Sequence, residues 1–143
     1  MNARRRRGPI VIDTNVFGAD LVPGSLLTEL YEPLMVGRAA FISFQTVAEL
    51  RFGALRREWG APRLLQLHMK IARAQVVHSD EKLVVTYAEL RAACERSGHA
   101  LGQRDHDADR WIAATAIRLG LPLLSHDGIF RNAPGLVLEN ADE

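Results

Sequence analysis

Asp13 is the residue of this sequence whose position most strongly indicates chemistry. It directly follows Ile10, Val11 and Ile12, and a run of apolar residues without polar alternation predicts a strand buried on both faces of a parallel sheet. Ligands and reacting groups collect at the carboxyl ends of such strands. A charge in this position is costly unless it is paired. Asp13 is therefore the first candidate active-site residue.

Three further acids can reach the same edge of the sheet. Glu49 lies in the first turn of the helix predicted after the second strand, and Asp127 follows the fourth strand. Asp109 lies at the start of the helix that leads into the fourth strand, and it can join the others if the loop before it crosses to that side. Separate parts of the chain would then deliver four carboxylates to one cleft.

Four ionised carboxylates within one cleft repel each other and raise each other's pKa values. A bound divalent cation removes that repulsion, and hard oxygen ligands without clustered His or Cys favour Mg²⁺ or Mn²⁺ over Zn²⁺. Such a site activates water and stabilises the charge of an in-line phosphoryl displacement. The predicted reaction is metal-assisted hydrolysis of a phosphodiester.

Each acid outside the first strand also has a purely structural interpretation. Glu49 can complete a capping box with Thr46, since the spacing Thr46 to Glu49 fits that motif. Asp109 can complement the helix macrodipole, and Asp127 with Gly128 forms a common turn pair. The joint placement of the acids favours a site over three unrelated structural roles.

Several polar residues close to the acids have two possible roles. Asp105 and Asp107 share a loop with Asp109 and either assist a metal through water or are solvated loop acids. His106 and His126 are either general bases or surface and turn residues.

Four further residues are predicted to serve in packing, in capping or in supporting a ligand. Thr14 and Asn15 either hydrogen-bond a ligand carboxylate or cap the next helix. Trp111 lies at helical spacing with apolar neighbours, which favours a core position over a base-stacking platform. Cys94 falls at helical spacing with Leu83 and Leu90 and is predicted to fill the core.

Composition is that of a folded chain without an extreme charge. The net charge is +1, hydrophobic residues make up 48% and charged residues 24%, so the overall field does not favour nucleic acid. A single Cys fits a reducing compartment, no apolar run approaches the roughly 18 residues of a membrane span, and the N-terminus lacks an apolar signal core. The expected location is the cytoplasm.

Arginine supplies nearly all the positive charge, with Lys only at positions 70 and 82. Arg suits phosphate recognition, although a GC-rich coding genome would give the same bias. Residues 1–8, with the run Arg4 to Arg7, are predicted to be a basic tail that is either solvated or an electrostatic arm for RNA. Arg51, Arg110 and Arg131 lie close to the acids in sequence and are either phosphate contacts or surface charges.

Strands and helices alternate along the remaining chain. Strands are predicted over residues 10–12, 39–44, 75–78, 121–126 and 135–139, the last at an edge. Helices are predicted over residues 26–35 (capped by Ser25 and kinked or ended near Pro33), 46–59, 62–74, 80–97 and 108–119. This order predicts one α/β domain over residues 9–143, with a mostly parallel sheet of about five strands between two layers of helices.

The chain resembles the PIN-domain family, and within it the VapC-type toxins of bacterial toxin–antitoxin pairs. The matching segments are IVIDTNV (10–16), TVAELRFG (46–53), DRWIAATAIRLGLPLLSHD (109–127) and the closing GLVLE (135–139). The resemblance implies a three-layer α/β/α fold and a Mg²⁺- or Mn²⁺-dependent endoribonuclease acting on tRNA or rRNA. It also implies a homodimer and a small antitoxin whose tail occupies the cleft.

The family's acids map onto Asp13, Glu49, Asp109 and Asp127. We expect Asp13 and Asp109 to hold the principal metal ion, with Glu49 and Asp127 completing its shell directly or through water. Glu49 or Asp127 would orient or deprotonate the attacking water.

Two other function classes compete with the nuclease. A phosphatase or phospho-acceptor would phosphorylate Asp13 itself, but Asn15 stands where an Asp-x-Asp phosphatase needs its second acid. A module that binds RNA or a partner without turnover would keep the fold and show no metal-dependent cleavage.

Overall fold

A five-stranded parallel sheet is the centre of the molecule. The computed structural model describes residues 8–142, so the Arg4 to Arg7 run lies outside the described residues. The strands are β1 (Ile10–Ile12), β2 (Ala40–Ser43), β3 (Gln75–Val77), β4 (Leu123–Leu124) and β5 (Leu138–Glu139). Their order is β3-β2-β1-β4-β5 and every pairing is parallel. This arrangement confirms the predicted sheet and places β1, the strand that leads into Asp13, at its centre.

Helices cover both faces of this sheet. They are α1 (Thr14–Phe17), α2 (Leu26–Met35), α3 (Phe44–Arg56), α4 (Ala61–Arg73), α5 (Glu81–Ser97) and α6 (Asp107–Leu119). Val11 of β1 packs in one cluster with α5 and α6, whereas Ile10 and Ile12 pack in another with α1 and α2. Successive strand residues point to opposite faces, so both faces need apolar cover. The predicted three-layer α/β/α architecture is confirmed.

The start of α3 differs from the sequence prediction. The helix begins at Phe44, and its cap is Ser43, whose Oγ accepts a hydrogen bond from Gln45 N at 3.1 Å. Thr46 is therefore inside the helix, and the prediction that it opens the helix is wrong. The apolar run of residues 39–44 concealed the boundary because its last residue, Phe44, already belongs to the helix.

The other boundaries differ by a few residues. Pro33 lies inside α2, which continues to Met35. Asp80 caps α5 through Oδ1, which accepts from Leu83 N at 2.8 Å. β5 is shorter than predicted but is an edge strand, as expected. Within residues 8–142, no helix combines the length and the apolar character needed to cross a membrane.

Candidate active site

Asp13 ends β1 and begins α1, and it is 6% exposed. Its Oδ1 accepts a hydrogen bond from Thr14 N at 2.8 Å, and its Oδ2 accepts one from Ser125 Oγ at 2.7 Å. Burial raises the pKa of Asp13, the two hydrogen bonds oppose that rise, and the nearby charges of Asp109 and Asp127 add to it. The central acid is therefore held rigidly and lies in the field of two other acids.

Ser125 is a site residue that sequence reasoning missed. It is fully buried, and its Oγ, besides donating to Asp13, accepts a hydrogen bond from Asp127 N at 3.0 Å. One hydroxyl thus connects the end of β1 to the end of β4, which pair directly in the sheet. The available signal was its position, since a Ser that ends a buried apolar strand beside the Asp13 strand needs a polar partner.

Glu49 reaches the site from the second turn of α3. Thr14 Oγ1 lies 3.3 Å from Glu49 Oε1 and 3.0 Å from Thr46 Oγ1. Burial raises the pKa of Glu49, and the charges of Asp13 and Asp109 raise it further, against the hydrogen bonds that it accepts. The capping-box interpretation of Thr46 and Glu49 is wrong because Ser43 is the cap. Thr14 supports Glu49, while the adjacent Asp13 caps α1.

Asp109 lies in the first turn of α6, and its Oδ2 lies 3.0 Å from His106 Nδ1. Asp127 caps the 3-10 turn Gly128–Phe130, where its Oδ1 accepts from Ile129 N at 3.0 Å. The turn predicted at Asp127 is therefore present, and Asp127 also lies close enough to Asp13 to raise its pKa. The loop before Asp109 does bring this acid within electrostatic range of both Asp13 and Glu49. We call Asp13, Glu49, Asp109 and Asp127 together the acidic cluster.

Asp107 and Arg110 form a separate group beside this acidic cluster. The Tyr87 hydroxyl donates to Asp107, and Arg110 Nη2 lies 3.5 Å from the same carboxylate. Arg110 is 1% exposed, and its Nη1 donates to the carbonyl oxygens of Leu101 and Gln103 at 2.6 and 2.5 Å. Arg110 therefore anchors the loop and is not positioned to contact RNA, so that hypothesis is wrong.

The remaining candidates are placed as follows. Asp105 is exposed, as is Arg51. His126 is exposed, and its Nδ1 lies 2.8 Å from the Tyr31 hydroxyl. Trp111 stacks on Tyr87 with ring centroids 4.0 Å apart, which is a packing role. Cys94 is fully buried in the core, as predicted.

The donor chemistry of the acidic cluster fits a hard divalent cation. Its acids offer oxygen atoms, and the charged groups that raise the pKa values of Asp13 and Glu49 are other acids of the same cluster. Within residues 8–142, no three His, Cys, Asp or Glu side chains converge closely enough to ligate one ion directly. What supports a cation here is the oxygen-only donor set, which suits Mg²⁺, an ion that usually keeps several waters.

A cleft of about 320 Å³ opens beside Glu49. Thr14 and Asn15 line it together with Glu49, and further lining comes from Leu50 of α3 and from Arg57 and Trp59, which follow α3. Of the four acids, Glu49 lines this partly apolar groove directly.

The sequence was compared with models of known protein families and with curated proteins. The sequence model of the PIN domain matches residues 10–136, which is most of the chain. Comparison with curated proteins gave no match.

Three solved structures illustrate the likeness in fold. A chain of VapBC2 from Rickettsia felis, bound to a DNA fragment from its promoter, has a TM-score of 0.75 at 24% identity, covering 94% of this chain and 98% of that one. A chain of DNA-bound VapBC from Salmonella typhimurium has a TM-score of 0.71 at 27% identity, covering 93% and 98%. A chain of VapBC-5 from Mycobacterium tuberculosis, a member of the VapBC family of toxin–antitoxin systems, has a TM-score of 0.65 at 27% identity, covering 93% and 96%.

The family match spans all four acids, and the structural neighbours share the parallel sheet that gathers them. The chain therefore belongs to the PIN-domain family, and its structural neighbours are VapC-type toxins of toxin–antitoxin systems.

Proposed function

We propose that this protein is a Mg²⁺- or Mn²⁺-dependent endoribonuclease and the toxin of a cytoplasmic toxin–antitoxin pair. The observation that carries the proposal is the burial of Asp13 within the field of Asp109 and Asp127, at the carboxyl end of the central strand. Burying an acid among other acids lowers the stability of the folded protein, whereas the same arrangement is suited to holding a cation. PIN domains generally bind a divalent metal, which agrees with this use.

Asp13 and Asp109 would hold the principal ion, and Glu49 and Asp127 would complete its shell directly or through water. When bound, the ion supplies Lewis acidity to the phosphoryl oxygens and lowers the pKa of a coordinated water. Ser125 and Thr14 fix the Asp13 carboxylate, so little reorganisation is needed there.

Glu49 is our first candidate for the group that orients and deprotonates the attacking water, with Asp127 as the alternative. Its pKa is raised by burial and by the neighbouring acids, and a higher pKa makes a carboxylate a stronger base. The hydroxide oxygen would form a new bond to phosphorus while one P–O ester bond breaks, and the water's proton would pass to the carboxylate. Thr14 Oγ1 lies 3.3 Å from Glu49 Oε1, and this contact helps to orient the carboxylate.

The partners follow from the family and from the surface. A small antitoxin would occupy the cleft beside Glu49, in keeping with structural neighbours solved as VapBC pairs. Phe52 and Leu55 of α3 are 62% and 76% exposed, and this apolar patch is our candidate surface for a homodimer. The RNA target would be tRNA or rRNA.

The first experiment combines induced expression with cleavage of total RNA, using wild type and Asp13→Asn. The substitution keeps the shape of the side chain and removes its charge. We expect wild type to arrest growth and cut discrete RNAs in Mg²⁺ or Mn²⁺, and we expect the variant to lose at least about a hundredfold in cleavage rate. Glu89→Gln, at an exposed acid of α5, is the matched control and should cleave like wild type.

Two results would contradict the proposal. Equal cutting by wild type and Asp13→Asn would show that the acidic cluster is not the active site. Metal-independent RNA binding by wild type, without cutting or growth arrest, would favour the module that binds without turnover.

A further inference from the structure

A second cavity lies at the edge strand, on the β4–β5 side of the acidic cluster. Its volume is about 500 Å³, which is within the range of small-molecule sites. We call it the β5 cavity, and it is lined by Arg131, Asn132, Leu136, Leu138, Asn140 and Asp142.

Two short connections link the residues that line the β5 cavity to the proposed active site. The turn that begins at Asp127 ends at Arg131, which lines the cavity. The Tyr31 hydroxyl accepts a hydrogen bond from Ala141 N at 3.2 Å and lies 2.8 Å from His126 Nδ1. The chain segment that lines the cavity is thus joined by one phenol to the residue before Asp127.

Two carboxamides give the β5 cavity its polar character. Asn140 is 7% exposed, and its Oδ1 accepts from Asp142 N at 2.9 Å, so Nδ2 is the group that it can offer to an occupant. Asn132 is exposed and adopts a left-handed conformation with φ 60°, which Asn tolerates better than most residues. Carboxamides donate and accept in one plane, as the edges of nucleobases do.

Arg131 provides a positive charge that is weakly engaged. Its Nη2 lies 3.6 Å from Asp142 Oδ2, and the two side chains are 60% and 65% exposed. Exposed pairs of this kind contribute little to stability, so a phosphate can replace the carboxylate as the partner of the guanidinium. Leu136 and Leu138 supply apolar surface in the same cavity.

We propose that the β5 cavity binds one unpaired nucleotide of the RNA strand, next to the phosphate that is cleaved. Asn132 and Asn140 contact the edge of the base, the leucines contact its face, and Arg131 contacts a phosphate. The inference rests on the proposed ribonuclease function and adds to it a place where the sequence of the RNA is read. Single-stranded RNA is read through such base edges, whereas phosphate contacts set position and affinity.

Binding is tested without cleavage, on the wild-type protein in EDTA. The probes are the dinucleotides ApA, CpC, GpG and UpU, and the readout is the side-chain amide NMR signals of Asn132 and Asn140. We expect both signals to shift saturably, with dissociation constants that differ among the four probes. Arg131→Ala should weaken all four about equally, by about tenfold, since a phosphate contact carries no base preference. Arg96→Ala, at an exposed arginine of α5, should leave binding unchanged.

Specificity is tested by the positions of the cuts that wild type and Asn140→Asp make in total RNA. Asp keeps the acceptor for Asp142 N and replaces the NH₂ donor, so the preferred base at one position beside the cut should change while the rate at the new preferred site stays within about tenfold.

The outcomes separate this inference from the proposed function. Unmoved amide signals together with unchanged cut sites would overturn the β5 cavity as a nucleotide site and leave the nuclease standing. Saturable, base-dependent shifts in a protein that cuts no RNA would keep the site and remove the nuclease. Equal dissociation constants for all four probes, together with unchanged cut sites, would overturn base reading.

Discussion

At the scale of single residues, the hydroxyl of Ser125 connects the acids at the ends of β1 and β4. It donates to Asp13 Oδ2 and accepts from Asp127 N, and it is fully buried. Because its bond to Asp13 stabilises the charged carboxylate, it is one of the groups that oppose the rise in the pKa of Asp13. Ser125 is therefore a positioning residue, which acts through the two acids that it contacts.

Ser125→Ala should affect both stability and the pH profile. Loss of the hydroxyl leaves Asp127 N and Asp13 Oδ2 without that partner, so we expect the free energy of unfolding to fall by about 1–3 kcal/mol. The pKa of Asp13 should rise further, so the acidic limb of the pH–cleavage profile should move to higher pH. Ser97→Ala, which removes a hydroxyl at the end of α5, should leave the profile unchanged. An unmoved acidic limb in Ser125→Ala would show that the hydroxyl does not tune Asp13.

At the scale of the elements, the close approach of α1 and α3 places Thr14 beside Glu49. Gly18 follows α1, and a Cβ there would lie 2.8 Å from Leu50 Cδ2 and 3.3 Å from Thr14 O. Its φ of −85° is available to any residue, so the constraint at Gly18 is space. The absent side chain lets α3 present Glu49 to the site.

Gly18→Ala should therefore destabilise the protein and impair the site together. We expect a loss of about 1–3 kcal/mol, typical of overpacking, and a lower cleavage rate because the contact of Thr14 with Glu49 is disturbed. Gly60→Ala is the control for space, since a Cβ there would meet Pro62 Cδ at an ordinary 3.9 Å, and it should lose only the roughly 0.5–1 kcal/mol by which Ala is poorer than Gly at the N-cap of α4. Chemical denaturation of the two variants beside wild type checks the prediction, and equal stability would contradict it.

The loop between α5 and α6 depends on Arg110. Its guanidinium donates to the carbonyl oxygens of Leu101 and Gln103, and this loop leads to His106, the partner of Asp109. Arg110→Met should cost about 1–3 kcal/mol, because the buried carbonyl oxygen of Leu101 loses its donor. Faster amide hydrogen exchange over residues 100–106 should accompany the loss, whereas Arg96→Met should leave that exchange unchanged. Full protection of this loop in Arg110→Met would contradict the anchoring role.

The sequence predicted the elements well where one local pattern dominated. The uninterrupted run Ile10–Ile12 identified the central strand, and the helices predicted over residues 80–97 and 108–119 end as predicted, each followed by a glycine in a left-handed conformation, Gly98 or Gly120. The start of α3 was missed because Ser43 and Thr46 are both good caps and the choice between them depends on the sheet register. A local pattern cannot resolve such a choice.

Contacts between distant segments were the least predictable part of the candidate site. The four acids were predicted from their positions, since each follows a strand or lies within the first two turns of a helix. Ser125 was missed because its role depends on the pairing of β1 with β4, and Arg110 was misread because its charge is satisfied by backbone carbonyl groups. The place of Ser125 at the end of an apolar run was a partial signal, but neither the pairing of β1 with β4 nor the path of the loop around Arg110 is specified by the neighbouring residues.

At the scale of the whole molecule, the acidic cluster links folding to pH. Asp13 and Glu49 have pKa values raised above their ordinary values of 3.8 and 4.5, so the folded state binds protons more tightly there than the unfolded state does. Their protonation contributes stability that is fully present below the ordinary pKa values and is lost as the pH rises through the raised ones. At neutral pH, without metal, the cluster is therefore a source of instability.

Divalent metal and Asp13→Asn should relieve this instability in separate ways. In EDTA at neutral pH, Asp13→Asn should melt at or above the temperature of wild type, and this advantage should shrink as the pH is lowered and Asp13 of the wild type becomes protonated. Added Mn²⁺ should stabilise wild type by about 2.7 kcal/mol at a hundred times its dissociation constant and should have little effect on the variant. Glu89→Gln should follow wild type in both buffers, because that exposed acid lies on α5, outside the cluster. Thermal melts by circular dichroism check these expectations for all three proteins. If Asp13→Asn melts well below wild type in EDTA, the charge of Asp13 stabilises the fold without a cation, and the prediction is wrong.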